Sequence, residues 1–289
     1  MRVVLLLVAL AGVARAAPGE AIVTGVPGVT ELAIDGDTIY FLAGDSDVEK
    51  ALMTAPTKPG AKPTKLADAG NARGLVVSAA NVVWGDDKTV RVYGRATKAF
   101  EAAPALPDTI WSVARDATRL AVGSYAPGGG RSKVSFGRKP IDVAGENPVV
   151  ALDGATVFVG TSTGLWAIKD GVVAPLVKTK DVGVTALVVD GDAIYFVEYV
   201  TIHRIAKQGG TATQLAVAMG ETYSIVTDDK YVYWGAFAPD EAGIYRIAKK
   251  PGSKRELVAK VKEPNHLVVA GAYLYWSDSR AGEIRRLKR

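Results

Sequence analysis

Short apolar runs broken by glycine, aspartate and proline fill the chain, and one phrase recurs among them. It consists of an apolar strand, a tight polar turn, and a second strand that ends in paired large residues followed by small or polar ones. It reads Leu32-Ala33-Ile34-Asp35-Gly36-Asp37-Thr38-Ile39-Tyr40-Phe41 early on and Leu187-Val188-Val189-Asp190-Gly191-Asp192-Ala193-Ile194-Tyr195-Phe196 later. The other copies end at Trp84, Val122, Val159, Trp234 and Trp276, so successive copies are 43, 38, 37, 37, 38 and 42 residues apart. Each copy continues into a third strand, as in Ile202-His203-Arg204-Ile205, Ile244-Tyr245-Arg246-Ile247 and Ile284-Arg285-Arg286-Leu287. A turn such as Lys207-Gln208-Gly209-Gly210 or Lys249-Lys250-Pro251-Gly252 then opens a fourth, Gln214-Leu215-Ala216 or Glu256-Leu257-Val258. Val, Ile, Tyr and Trp suit a pleated, packed surface, and Asp-Gly or Ala-Gly supplies the positive φ that a two-residue hairpin needs. No window keeps the 3.6-residue apolar spacing of a helix over three turns. Four short strands in a period near 40 predict an all-β chain folded as a β-propeller. The nearly all-apolar first strand of each copy predicts that this strand is the one covered on both faces.

Seven copies predict seven four-stranded blades, with six as the alternative. The 273 residues from 17 to 289 equal seven units of 39. The seventh copy, from His266 to Lys288, has only three strands, whereas Ala21-Ile22-Val23-Thr24-Gly25-Val26 is an orphan strand-like segment ahead of the first copy. The N-terminal segment is therefore expected to complete the last blade and close the ring, which removes exposed strand edges. Residues 17–289 are expected to form a single domain.

The first 16 residues carry a different pattern. Met1-Arg2, an apolar run from Val3 to Val13, and Ala14-Arg15-Ala16 have the charged start, short apolar middle and small-residue cleavage site of a secretory signal peptide. The run is about half the length of a membrane-spanning helix, which needs roughly 20 residues. The expectation is a cleaved leader over 1–16 and a secreted or periplasmic domain with no membrane span. The chain has no cysteine, which excludes disulfides, thiolate metal sites, a cysteine nucleophile and a lipid-modified cysteine. No Asn-x-Ser/Thr acceptor occurs either. Without the leader, which carries Arg2 and Arg15, 33 basic residues face 30 acidic ones, a surplus too small to suggest nucleic acid as a partner.

Tyr275-Trp276-Ser277-Asp278 and Val232-Tyr233-Trp234-Gly235 resemble the Tyr-Trp-Thr-Asp repeats of low-density-lipoprotein-receptor-type propellers, in the variety found in bacterial secreted proteins. The resemblance spans residues 17–289 and rests on structural residues. That family usually has six blades, and Asp follows the aromatic pair here only at Asp278. The resemblance implies an extracellular interaction module rather than an enzyme.

Propellers place ligands on the face where the innermost strands begin. The residues ten and eleven before each landmark are Thr30/Glu31, Arg73/Gly74, Trp111/Ser112, Pro148/Val149, Thr185/Ala186, Tyr223/Ser224 and Asn265/His266. The turn after the second strand adds Glu198 and Tyr199, in the tightest of the second-to-third loops considered. Glu31, Arg73, Trp111, Glu198, Tyr199, Tyr223, Asn265 and His266 are thus the expected ligand-binding residues, because convergent polar and aromatic groups at a concave mouth suit recognition. After closure Glu31 and His266 would be neighbours. Asp45, Asp47 and Glu49 have alternate oxygen spacing but lack the central glycine and further carboxylates of a calcium loop. Asp35/Asp37 and Asp190/Asp192 repeat at hairpins, so turn chemistry explains them. Gly128-Gly129-Gly130-Arg131 and Gly160-Thr161-Ser162-Thr163-Gly164 read as hairpins, His203 as a strand-surface residue, and the basic end Arg280 to Arg289 as a solvated edge. The favoured reading is a monomeric, non-catalytic module, without cofactor, that binds a protein, peptide or glycan. The alternative is a lactonase-like hydrolase or lyase with a metal at the mouth.

Overall fold

The computed structural model describes residues 19–44, 49–103, 105–116, 118–137, 139–179, 183–250 and 252–289. The leader, the Asp45–Asp47 loop and Pro251 lie outside them. Seven four-stranded antiparallel sheets make a seven-bladed β-propeller, and the described residues contain no helix. Blades one to six span 32–70, 72–101, 109–144, 149–178, 184–217 and 225–260, and blade seven spans 264–288. Each innermost strand touches the next around the ring, including those of blades seven and one. Glu20–Val23 pairs antiparallel with Glu283–Lys288 as the fourth strand of blade seven, which closes the ring as the sequence predicts. The closing strand also repeats a side-chain pattern. Arg246 lies 4.3 Å over Tyr231 and bonds Glu256 on the outer strand of blade six, and Arg286 lies 4.2 Å over Tyr273 and bonds Glu20 at the same place in blade seven.

The hydrophobic core is divided into seven clusters, and each lies between two neighbouring blades. One joins Phe158 and Leu165 of blade four to Ile194, Phe196 and Ile205 of blade five; another joins Tyr275 and Ile284 of blade seven to Leu32, Ile39 and Phe41 of blade one, with Ile22 and Val23 from the closing strand. A blade is one sheet thick and buries apolar surface only against its neighbours.

Burial corrects one expectation. The strand covered on both faces is the second of each blade, whose four central residues are buried in all seven, as in Thr38–Ala43 and Tyr231–Ala236. The innermost strands are largely half-buried, and Val149–Asp153 is so throughout. Seven first strands converge on an axis where neighbours leave space, whereas each second strand is sandwiched between adjacent sheets. The residue after the landmark is glycine in four blades, where the next innermost strand crosses it. A Cβ on Gly85 would lie 2.3 Å from the Ile110 side chain, on Gly160 2.5 Å from that of Val184, and on Gly235 2.9 Å from that of Pro264. The landmark indoles add fixed points: Trp84 and Trp234 donate through Nε1 to the carbonyls of Ala69 and Ala218 on the preceding blade, each at 3.1 Å.

On the face of the first hairpins, a basic residue directly after the third strand reaches back to the aspartate that ends, or in blade six directly follows, the first strand of the preceding blade. Arg95 bonds Asp35 at 2.5 Å, Arg289 bonds Asp228 at 2.8 Å, and Lys207 and Lys249 bond Asp153 and Asp190. Asp35 and Asp190 therefore do more than shape their turns. The Arg95–Asp35, Lys207–Asp153 and Lys249–Asp190 pairs are partly exposed, so each contributes below about 1 kcal/mol, whereas the Asp228 side chain is almost buried. Blade four has Asp170 at the basic position, and Asp116 of blade three turns instead to its own hairpin. There the backbone N–H of Thr118, together with Arg119, holds its carboxyl at about 2.

Deleting residues 17–28 removes the buried Ile22 and Val23 and is expected to lower the unfolding free energy by about 3–6 kcal/mol, seen as a large fall in the urea midpoint. Gly160→Val, which overpacks one blade junction, is expected to cost about 1–3 kcal/mol. Unchanged unfolding of the deletion variant would refute closure by the N-terminal strand.

Candidate functional site

The face opposite the ionic latches carries the starts of the innermost strands and the second-to-third turns. The pairing of first and second strands is interrupted there by a recurrent β-bulge. In blade two Arg73 pairs with Gly85 and Leu75 with Trp84, so Gly74 is extra; in blades three and five the extra residues are Trp111 and Thr185. In blade seven Asn265 and His266 lie between the pairs Pro264–Asp278 and Leu267–Trp276. A bulge bends the strand and re-aims its side chains out of the ladder. It gives a physical reason why the positions singled out by the repeat leave the sheet at the channel mouth.

These groups engage in pairs that span neighbouring blades. His266 Nδ1 lies 2.5 Å from Glu31 Oε2, so ring closure brings together two residues 235 positions apart. Burial raises the Glu31 pKa, but the charge of His266 and its hydrogen bond, then Lys50 and the backbone N–H of Gly74, outweigh this and hold the carboxyl below its ordinary value. Ser277 Oγ accepts from the His266 backbone N–H at 3.0 Å and donates to the Thr30 carbonyl at 2.9 Å, tying blade seven to blade one. The Arg73 guanidinium lies 4.6 Å over the Trp111 ring, and Tyr125 meets that ring edge-on at 5.5 Å. Thr185 Oγ1 donates to the Thr222 carbonyl at 3.0 Å, and Ser112 Oγ donates to that of Pro148. Asn265 is half-buried and has no side-chain partner among the described residues.

Glu198 and Tyr199 stand apart from Glu31 and His266. Glu198 Oε2 lies 3.6 Å from His203 Nε2, and Tyr199 sits at φ 56° with 60% of its surface exposed. Their two-residue turn is matched in length by that of Asp87-Lys88, which joins the paired Asp86 and Thr89. His203 is not the simple surface residue that the sequence suggests. It stacks on Phe196 at 5.1 Å and 15°, and burial lowers its pKa against the opposing charge of Glu198. Tyr223 is 60% exposed, and its hydroxyl donates to Glu221, which pushes the phenol up to about 12. Glu221 and Lys50 take part in the mouth without having been singled out by sequence. Glu221 lies two residues before a marked position, but nothing in its spacing repeats between blades.

Among the described residues, no three of His, Asp and Glu converge in a way that could hold a metal ion. A cavity of about 370 Å³ lies away from the mouth, between blades six and seven on the latch face, lined by Asp228, Lys230, Tyr231, Tyr233, Arg246 and Arg289. Its arginines are already bonded to Asp228 and Glu256, which leaves little uncompensated charge for a ligand.

No protein-family profile and no curated protein matches the sequence. Solved structures do. A chain of the mitotic checkpoint complex superposes with a TM-score of 0.74 at 10% identity, over 96% of this chain and 91% of that one. A chain of hydrazine synthase from Kuenenia stuttgartiensis gives 0.72 at 14%, over 92% and 97%. The extracellular domain of BT4673 from B. thetaiotaomicron gives 0.71 at 12%, over 94% of this chain and 40% of that one. At these identities the likeness establishes the propeller fold. An assembly subunit, an enzyme and an extracellular domain all share it, so the fold alone does not determine an activity.

A depressed Glu31 pKa contributes stability above the unfolded value near 4.5 that is lost as pH falls through the folded one. Glu31→Gln should therefore melt below the wild type at pH 6 and converge with it toward pH 3, as read by thermal unfolding across pH. A constant difference over that range would contradict the assignment.

Proposed function

We propose that residues 17–289 form a monomeric, non-catalytic binding module, exported by its leader to the periplasm or the outside of the cell, whose channel mouth receives a protein, peptide or glycan. The observation that carries this reading is the division of labour at the mouth. Glu31 and His266, the acid and base that meet there, are engaged with each other across the blade junction, while aromatic side chains at the same face remain open to solvent. Trp111 is half-buried, and Tyr199 and Tyr223 are each 60% exposed. Large aromatics beside fixed polar groups favour recognition, since they offer contact area with few rotamers to immobilise. The likeness of Tyr275-Trp276-Ser277-Asp278 to low-density-lipoprotein-receptor-type repeats and the extracellular BT4673 neighbour agree with it. Glu31, Arg73, Trp111, Glu198, Tyr199, Tyr223, Asn265 and His266 are the contact residues in this proposal.

A second reading, a metal-assisted hydrolase or lyase, is favoured by one feature, the Glu31–His266 pair at the mouth. Two experiments separate them. Metal analysis of the purified protein, with thermal-shift screening against calcium, zinc, sugars and short peptides, is expected to give a peptide or glycan hit. Trp111→Ala should weaken that hit by about tenfold, the scale of a central aromatic contact. Stoichiometric metal that disappears in Glu31→Gln or His266→Ala would instead establish the second reading.

A further inference from the structure

Most of the exposed large apolar side chains fall in one place. Among the described residues six are exposed, and four of them, Tyr199, Val217, Tyr223 and Phe237, lie on the mouth side of blades five and six. Backbone hydrogen bonds tie their segments into one strip. The Ala218 N–H donates to the Val200 carbonyl at 2.7 Å, which holds the chain leaving blade five against the Tyr199 turn. Glu221 and Phe237 then exchange N–H to carbonyl bonds at 3.2 and 2.9 Å, which brings the blade five-to-six connection beside the second-to-third loop of blade six. Tyr199 and Met219 hold φ values of 56° and 72°, a conformation that non-glycine residues adopt at a cost and keep where the surroundings enforce it.

The strip is acidic as well as aromatic. Glu221 accepts from the Tyr223 hydroxyl and pairs with no cation among the described residues, and the same is true of the Asp240 and Glu241 carboxylates in the neighbouring loop. Among the described residues Glu198 forms an ion pair only with His203, and burial favours the neutral form of that ring. Arg255 meets the outer edge, where it bonds the Val217 carbonyl and lies 5.2 Å over Tyr245. Exposed aromatic faces beside unpaired carboxylates are complementary to a cation carried on an apolar stem. The rings attract the charge through their quadrupoles, and the stem covers the apolar surface.

We propose that this strip docks an extended, lysine- or arginine-bearing segment of a partner protein, with its cations set between the Tyr199, Tyr223 and Phe237 rings and the Glu221, Asp240 and Glu241 carboxylates. The proposal rests on the reading of the mouth as a binding face and narrows it to one sector and one chemistry.

The probe is an acetylated, amidated (Lys-Gly)4 peptide, compared with (Glu-Gly)4 and (Gln-Gly)4 by titration calorimetry on residues 17–289. Saturable binding of the lysine peptide alone is expected. Glu221→Gln and Tyr199→Ala should each weaken it about five- to tenfold. Both positions are exposed at the rim, and their thermal unfolding serves as the folding control. Val172→Ala, at an exposed apolar position of blade four outside the mouth, should leave this binding unchanged. Absence of saturable binding, equal affinity for the three peptides, or insensitivity to Glu221→Gln would overturn the proposal. If the lysine peptide instead loses affinity only in Trp111→Ala, the strip is refuted while the wider reading of the mouth survives.

Discussion

Every blade depends on having a neighbour on each side. The apolar surface of this protein is buried in seven clusters, each shared by two successive sheets, and none of them belongs to one blade alone. An isolated four-stranded sheet would leave both faces in water, so the unit that buries a core is the pair of blades and not the repeat. The second strands follow from this constraint: they hold the large landmark residues because they lie where adjacent sheets press together. The glycines beside those landmarks follow as well, since the next inner strand crosses at a distance that a methyl group would block.

Much of this was legible in the sequence, because a repeat writes the same instruction seven times. The period, the blade count, the closing N-terminal strand and the meeting of Glu31 with His266 all come from aligning copies and counting. What escaped is what a linear alignment does not contain. An apolar first strand looks more buried than a mixed second one until the sheets are arranged around an axis, where the inner strands have fewer neighbours. The bulges at Gly74, Trp111 and Thr185 are an extra residue in a ladder, and the ladder appears only once strands are paired. The pairing of Arg95 with Asp35 joins residues 60 positions apart whose spacing varies with loop length from blade to blade. His203 alternates like a surface residue and becomes half-buried because Phe196 offers it a ring to stack on.

The two faces of the ring divide the work of holding it together. On the hairpin face, charged side chains bridge successive blades and compensate one another in doing so. On the mouth face, the small hydroxyls of Ser112, Thr185 and Ser277 also bridge blades, bonded to backbone carbonyls at the start of the next blade. A short hydroxyl fastens two strands without covering them. The larger residues beside it, Trp111, Tyr199 and Tyr223, are left to face outward, and among the described residues Glu221, Asp240 and Glu241 have no cation paired with them. The mouth can therefore vary in chemistry while the junctions beneath it stay in register.

The pairing of Glu20 with Arg286 spans 266 residues and sets an order of events during synthesis. The strand at the start of the domain is among the first parts to be made, and its partner is among the last. Loop-closure entropy grows only logarithmically with length, so the delay costs about 2 kcal/mol more than closing a loop of one repeat. Until then blade one has an uncovered flank and the early strand has no sheet to join. The ring therefore stays open until residues 283–288 have been made, because only they offer the early strand a sheet to join.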